Sequence, residues 1–399
     1  MGPQSIVVLL LMVAVFGGLA YVLARQGPPI VLRVGAGVLA FAVSSVFGMA
    51  VVNRFYDYYQ TWGDLFDDLS GKHPGVQAIP PGGGKNLKTG GVPAKDGLLV
   101  STYFAGPKSG LNRPGLVYLP PQYFQAPYAT AHFPVLELLH GSPGEPADWQ
   151  RGLHVSSTYK TMIEKHQAKP AILVMPNING SARGAGGSQC LDRPHNGDKN
   201  DSYLAEDVPA SVQTSFRTDP PGARWGVAGF SEGGFCAANL ALRHPNVFSL
   251  AGVMSGYFQP LPERGGDPFG GDARARLEND PLWRLTNTPP GARLPAFWLM
   301  AGESDRGDVS DAKLFHGVLE SHGQNAPMVL IAHARHTYAA WNPAFPKFLS
   351  WATNRLGGPV QGPTHAPVPG KYPPVGPANL PGGGQESPAP PPVHEIKPS

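Results

Sequence analysis

Two uninterrupted apolar runs open the chain. Ser5 to Ala24, SIVVLLLMVAVFGGLAYVLA, carries no charge over about 20 residues, the length that takes a helix across a hydrocarbon core. Val34 to Asn53, VGAGVLAFAVSSVFGMAVVN, is again uncharged and rich in Gly, Ala and Ser, residues that let two helices approach closely in lipid. The pattern predicts a transmembrane helical hairpin over 1–55. A cleaved signal peptide would carry Lys or Arg ahead of the first run, and MGPQ has neither. Arg25 and Arg33 flank the turn between the runs, whereas Asp57, Asp64, Asp67 and Asp68 follow the second run alongside Arg54. The cationic turn is therefore expected inside and everything after the second run outside. Tyr56, Tyr58, Tyr59 and Trp62 come next, in the manner of an interfacial aromatic belt.

Periodicity then disappears. Residues 56–96 read as a juxtamembrane segment and a Gly/Pro/Lys linker whose expected role is a tether. From 97 to 356 short apolar runs alternate with helical patterns. LLVSTYFAG, GLVYLPPQYF, PVLELLHG, AILVMPN, RWGVAGF, FSLAGVMSG, AFWLMAGE and MVLIAHA read as strands. Helices are expected near Tyr159 to His166, Leu204 to Phe216, Gly234 to Arg243, Ala312 to His322 and up to Leu356. Such alternation predicts an α/β domain, a largely parallel sheet covered on both faces, with ligands bound at the carboxyl ends of the strands. From 357 to 399 Pro and Gly dominate, and a disordered or polyproline-like tail is expected.

Composition narrows the choices. With 31 Lys+Arg against 28 Asp+Glu the net charge is +3, and no basic run offers a footprint for nucleic acid. Two cysteines, Cys190 and Cys236, cannot build a four-thiolate zinc site, although they could form one bridge in an oxidising compartment. The segment CLDRPHNGDKND, Cys190 to Asp201, mixes carboxylates with a His but lacks the ligand order of a calcium loop, and is expected to be a polar loop.

The chemistry centres on Gly229-Phe230-Ser231-Glu232-Gly233. In so glycine-rich a chain the bare G-x-S-x-G pattern is a weak signal. Its context is stronger, because it ends the predicted strand WGVAGF and opens the helix GGFCAANLALRH, as a nucleophile elbow requires. Ser231 is thus the candidate nucleophile. His336, just past the last strand in MVLIAHARHTYAAW, is the candidate base, with His333 a bystander. The acid is expected after the preceding strand, where Asp305 is favoured and Asp308 and Glu303 remain alternatives. The backbone amides of Ser142, in His140-Gly141-Ser142-Pro143-Gly144, and of Glu232 are the expected oxyanion-hole donors. The Pro/Gly/Arg-rich stretch from Tyr257 to Arg293, with Phe269 and Trp283, could roof a substrate cleft.

Together LLHGSPG, GFSEGG with FCAANLALRHP, AGESD and RHTYAAW resemble the esterase D-type branch of the α/β-hydrolase superfamily, which includes the mycobacterial mycolyltransferases. The hairpin followed by NRFYDYYQTWGDLF is similar to a subgroup of actinobacterial membrane esterases. The resemblance implies a carboxylesterase or acyltransferase that needs no cofactor or metal. One departure stands out: many relatives carry Met or another apolar residue where this chain has Glu232. The expected protein is a membrane-anchored, outward-facing serine esterase acting on a lipid or cell-envelope ester. Acyl transfer through the same residues and a catalytically inactive envelope scaffold are the alternatives.

Overall fold

The computed structural model describes residues 2–3, 5–25, 27, 29–56, 59, 61–70, 75–179, 188–194, 197–263 and 266–361. Two helices, Ile6–Ala24 and Ile30–Tyr56, pack on one another, and both are long and apolar enough to cross a membrane. No residue of the first is buried. In the second, Ala36 and Ala40 are buried one turn apart, as small residues at a helix–helix contact should be. That helix begins earlier than the apolar run predicts and takes in Arg33, whose guanidinium donates to the Leu23 carbonyl at 3.3 Å. Asp57 and Tyr58 of the expected outer flank lie outside the described residues. Trp62 is exposed and stacks on Phe66 within a short helix, Trp62–Leu69.

Nine described strands form one sheet: β1 Val76–Ala78, β2 Leu98–Ala105, β3 Asn112–Leu119, β4 Val135–Leu139, β5 Ile172–Pro176, β6 Gly222–Phe230, β7 Phe248–Met254, β8 Ala296–Gly302 and β9 Met328–Ile331. Their order is β1-β2-β3-β5-β4-β6-β7-β8-β9. β3 runs antiparallel to both of its neighbours, and every other pair is parallel. The central strands are apolar on both faces, so each face needs a cover. On one side Val135, Leu139 and Val227 pack with Phe235 and Leu240 of the helix Glu232–Arg243. On the other, Leu136, Leu138 and Phe230 pack with Trp149 and with Trp341, Phe348 and Leu349 of the helix Tyr338–Leu356. The result is an α/β-hydrolase sheet with helices on both faces.

Several elements depart from the expected bounds. The helix anticipated near Tyr159 is Val155–Glu164. The one anticipated over Leu204 to Phe216 is split into Asn200–Ser202, a wider π turn at Tyr203–Asp207, and Val208–Ser215. Helices begin earlier than expected at Glu232 and at Arg306.

The stretch read as a tether is partly built into the domain. β1 extends the sheet beside β2, Ile79 N–H donates to Ser101 O at 2.9 Å, and Gly82 N–H donates to Ser215 Oγ at 3.0 Å. Tyr123 Oη donates to Gly84 O at 3.3 Å. Three-residue strands carry too little periodicity to be read from a Pro/Gly-rich sequence. At the other end the chain past Leu356 returns as far as Val360, which bridges His132. The rest of the expected Pro-rich tail, 362–399, lies outside the described residues.

One buried carboxyl group has no counterpart in the expectations. Glu137, on β4 between Val174 of β5 and Val227 of β6, is fully buried, and neither carboxyl oxygen has a hydrogen-bond partner. Burial pushes its pKa well above the usual carboxylate range, so the native chain keeps this proton. The unfolded chain releases it above roughly pH 4.3, so stability falls with rising pH by about 1.4 kcal/mol per unit until the folded pKa is reached. Glu137→Met should therefore melt at a higher temperature than wild type, with the gap widening from pH 5 to pH 8 in paired thermal scans. A gap that is constant or narrows would overturn this account.

Candidate active site

β6 ends at Phe230 and the helix Glu232–Arg243 begins two residues later, so Ser231 must make the whole reversal. It does so at φ 57°, ψ −126°, a conformation that L residues avoid and that persists where surrounding structure imposes it. Ser231 N–H donates to Met254 O at 2.9 Å, and Ser231 O accepts from Gly234 N–H at 2.9 Å, fixing both sides of the turn. The flanking glycines are needed for space. A Cβ on Gly229 would stand 2.2 Å from the Gly233 carbonyl, and one on Gly233 would stand 2.1 Å from Leu139 O and 2.5 Å from His140 O. Strand, turn and helix can close only without those side chains.

The loop after β4 lies against this turn, with the Gly141 Cβ position 3.2 Å from Ser231 Cβ. His140 is fully buried, its Nε2 3.2 Å from Ile178 N and its Nδ1 2.8 Å from Gly141 O. A backbone N–H can only donate, so Nε2 accepts and Nδ1 carries the proton. Burial lowers the imidazole pKa and favours that neutral form. With the Gly141 carbonyl held, the trans peptide turns the Ser142 N–H to the opposite side. Glu232, first residue of its helix, has an amide of the kind a helix leaves without an intrahelical acceptor.

His336 stands beyond β9. Its Nδ1 lies 2.7 Å from Asp308 Oδ2 and 3.3 Å from Asp305 Oδ2. Asp305 caps the helix Arg306–Ser321 and Asp308 sits in its first turn, which brings both carboxylates to one side. The nearer carboxylate is thus Asp308 rather than the favoured Asp305. Glu303 is exposed. Burial alone would lower the His336 pKa, but the two carboxylates outweigh it and raise it to about 9. Burial pushes Asp308 up to about 6 against the His336 hydrogen bond, while that bond holds Asp305 below its usual value. An ionised carboxylate only accepts, so Nδ1 donates. The three groups also lie close enough together to hold a cation, which would have to displace the Nδ1 proton.

An aromatic bed joins the two candidates. Phe230, beside Ser231, stacks on Trp341 at 4.6 Å between ring centroids, and Trp341 meets the His336 ring edge-on at 5.3 Å. Trp341 Nε1 donates to Ser255 Oγ at 3.1 Å.

A second layer of polar contacts surrounds Glu232. Its Oε1 accepts from Gln189 N–H at 2.8 Å. Burial pushes the Glu232 pKa up to about 7 against that donor. The Gln189 side chain pairs with the Leu261 peptide, accepting its N–H at 2.7 Å and donating to its carbonyl at 2.8 Å. Cys190 is disulfide-bonded to Cys236 of the elbow helix, with Cα atoms 5.6 Å apart.

A family model described as "Putative esterase" matches residues 108–351, more than half of the chain. The chain belongs to the esterase family. Membership places it among carboxylic-ester hydrolases, and the matched span contains every residue of the site described above. This esterase is 25% identical over 352 residues to an uncharacterized protein of Corynebacterium glutamicum, covering 82% of this chain and 79% of that one. In fold it is similar to a ferulic acid esterase at a TM-score of 0.57 and 21% identity, over 66% of this chain and 99% of the other. It is also similar to an S-formylglutathione hydrolase from Agrobacterium tumefaciens at 0.54 and 20% identity, over 66% and 97%.

The remaining sequence candidates of this esterase fall outside the site. His333 is exposed. In the stretch from Cys190 to Asp201, Asp192 accepts from Ser202, Asp198 pairs with Arg113, and Asp201 pairs with Arg243 and His244, so these carboxylates do not converge on a cation. His195 lies outside the described residues. The Tyr257–Arg293 stretch packs onto the domain, Phe258 stacking on Phe315 at 4.0 Å, and sends Leu261 and Glu263 to Gln189. The sequence assigns no role to His140 or Gln189, because their roles depend on what their ring and amide touch.

Proposed function

We propose that this chain is a membrane-anchored serine esterase, facing outward, that cleaves a carboxylic ester of a lipid or cell-envelope molecule. The observation that carries the reading is Ser231 at φ 57°, held between β6 and a helix N-terminus with the Gly141–Ser142 loop against it. Ser231 Oγ attacks the ester carbonyl carbon, and His336 Nε2, left to accept because Nδ1 donates to Asp308, takes the serine proton. The oxyanion rests on the Ser142 and Glu232 amides. The alcohol leaves with the proton from His336, and water, deprotonated in turn by His336, releases the acid from the acyl-enzyme. Anchoring is supported by two apolar helices whose side chains lie largely exposed. An outward domain is supported by the arginine-flanked turn and by a disulfide that an oxidising compartment favours.

Fluorophosphonate labelling of the detergent-solubilised full chain tests this directly. Wild type is expected to carry the phosphonyl group on the peptide containing Ser231, and His336→Ala to label far more slowly. Folded wild type that fails to label would overturn the reading.

A further inference from the structure

Both carboxylates beside His336 reach the same nitrogen, Nδ1, at 2.7 and 3.3 Å. One anchored atom does not fix a ring. The imidazole can still pivot about Nδ1 and carry Nε2, the atom that takes the serine proton, away from Ser231. A second contact comes from Trp341. It lies in the first turn of the helix Tyr338–Leu356, with its N–H donating to Thr337 O at 3.3 Å, and its buried indole meets the imidazole with the ring planes 83° apart. The indole is itself held from two directions. Its face stacks on Phe230, the residue before Ser231, with the planes 27° apart. Its Nε1 donates at 3.1 Å to Ser255 Oγ, just past the end of β7, the kind of acceptor a buried indole N–H needs. Ser255 sits at φ 48°, a conformation that residues other than glycine rarely adopt, and its own N–H donates to Met300 O of β8 at 2.7 Å.

We propose that Trp341 is a positioning residue that sets the plane of the His336 imidazole, with Phe230 and Ser255 referring it to the strand ends that carry Ser231. This rests on the serine-esterase reading of the site. Ser231 N–H donates to Met254 O, so the elbow and the Ser255 anchor are tied to the same end of β7. The indole transmits the position of that turn to the base, while the two carboxylates hold Nδ1. Restraints at two places on a ring fix its plane, where two at one atom cannot. The effect falls on proton transfer and not on substrate binding, and a small misplacement of a reacting group costs about 10²-fold in rate.

The test uses the full chain in detergent, with p-nitrophenyl butyrate as probe. Trp341→Leu is expected to lower kcat roughly 10²-fold with KM little changed, and to slow fluorophosphonate labelling by a similar factor. Trp341→Phe keeps a ring between Phe230 and His336 and should recover most of that loss. Ser255→Ala should cost roughly five-fold in kcat in the wild-type background and nothing further in Trp341→Phe, where no Nε1 is left to hold. Phe348→Leu is the control. It trims a buried ring of the same helix that packs on Trp298 at 5.5 Å between centroids, and should lower the melting temperature while leaving kcat nearly unchanged. A wild-type kcat in Trp341→Leu, a loss confined to KM, an equal kcat loss in Phe348→Leu, or a Ser255→Ala cost that is the same in both backgrounds would overturn the proposal. Should Trp341→Leu not fold, the cycle of Ser255→Ala with Trp341→Phe decides alone. Labelling separates the two levels: an unlabelled wild type sinks the esterase reading, whereas a labelled Trp341→Leu that turns over at the wild-type rate sinks only the role of Trp341.

Discussion

Ser231→Ala is expected to lower ester hydrolysis by roughly 10⁴- to 10⁶-fold in kcat, with KM for a p-nitrophenyl ester changed far less. The loss is large because the covalent route disappears, while the oxyanion amides remain to give a small residual rate. The side chain is not part of the core, and the turn is set by backbone bonds from Ser231 N–H to Met254 O and from Gly234 N–H to Ser231 O. A melting temperature close to that of wild type should accompany the loss. Turnover within ten-fold of wild type in folded Ser231→Ala would mean that another nucleophile does the work.

Asp305 and Asp308 should show partial redundancy. Each reaches the same His336 nitrogen, at 3.3 and 2.7 Å, so either can hold the imidazole tautomer when the other is lost. Single replacements, Asp305→Asn or Asp308→Asn, are expected to lower kcat by roughly 10- to 100-fold, with Asp308→Asn the worse, and the double replacement by about 10⁴-fold. The pH dependence has a definite sign. His336 must be neutral to accept the serine proton, and its pKa is raised to about 9, so kcat/KM should climb with pH until about 9. Removing one carboxylate takes away part of what holds the imidazolium, and the midpoint should move to lower pH. If one of the two single replacements alone costs the full 10⁴-fold and the other costs nothing, a single acid serves.

The elbow was legible because local physics and global fold coincide there: a glycine-flanked Ser between an apolar strand and a helix closes in one way. The central strands from Val135 to Gly302 could be read for the same reason, their apolar runs being set by burial on both faces. The acid could not be chosen. Asp305 and Asp308 are three residues apart at a helix start, and that spacing puts both carboxylates on one side, a fact visible only once the helix is known to begin at Arg306. Glu137 was hidden inside an apolar strand, PVLELLHG, where its neighbours across β5 and β6 decide its protonation. The hydrogen-bonding partners of Glu232 depend on the path of the 188–193 loop, which no periodicity reports.

β1 is only three residues long, yet it changes how a water-soluble form of the enzyme should be prepared. Its backbone covers the outer edge of β2 at Leu99–Ser101, and a chain cut at residue 97, where the hydrophobic alternation starts, would add those amides and carbonyls to the open part of that edge. Such edges recruit strands from other molecules. A form trimmed of both apolar helices should therefore retain everything from Val76 onward, and a shorter one is expected to precipitate edge to edge even though its catalytic residues are all present.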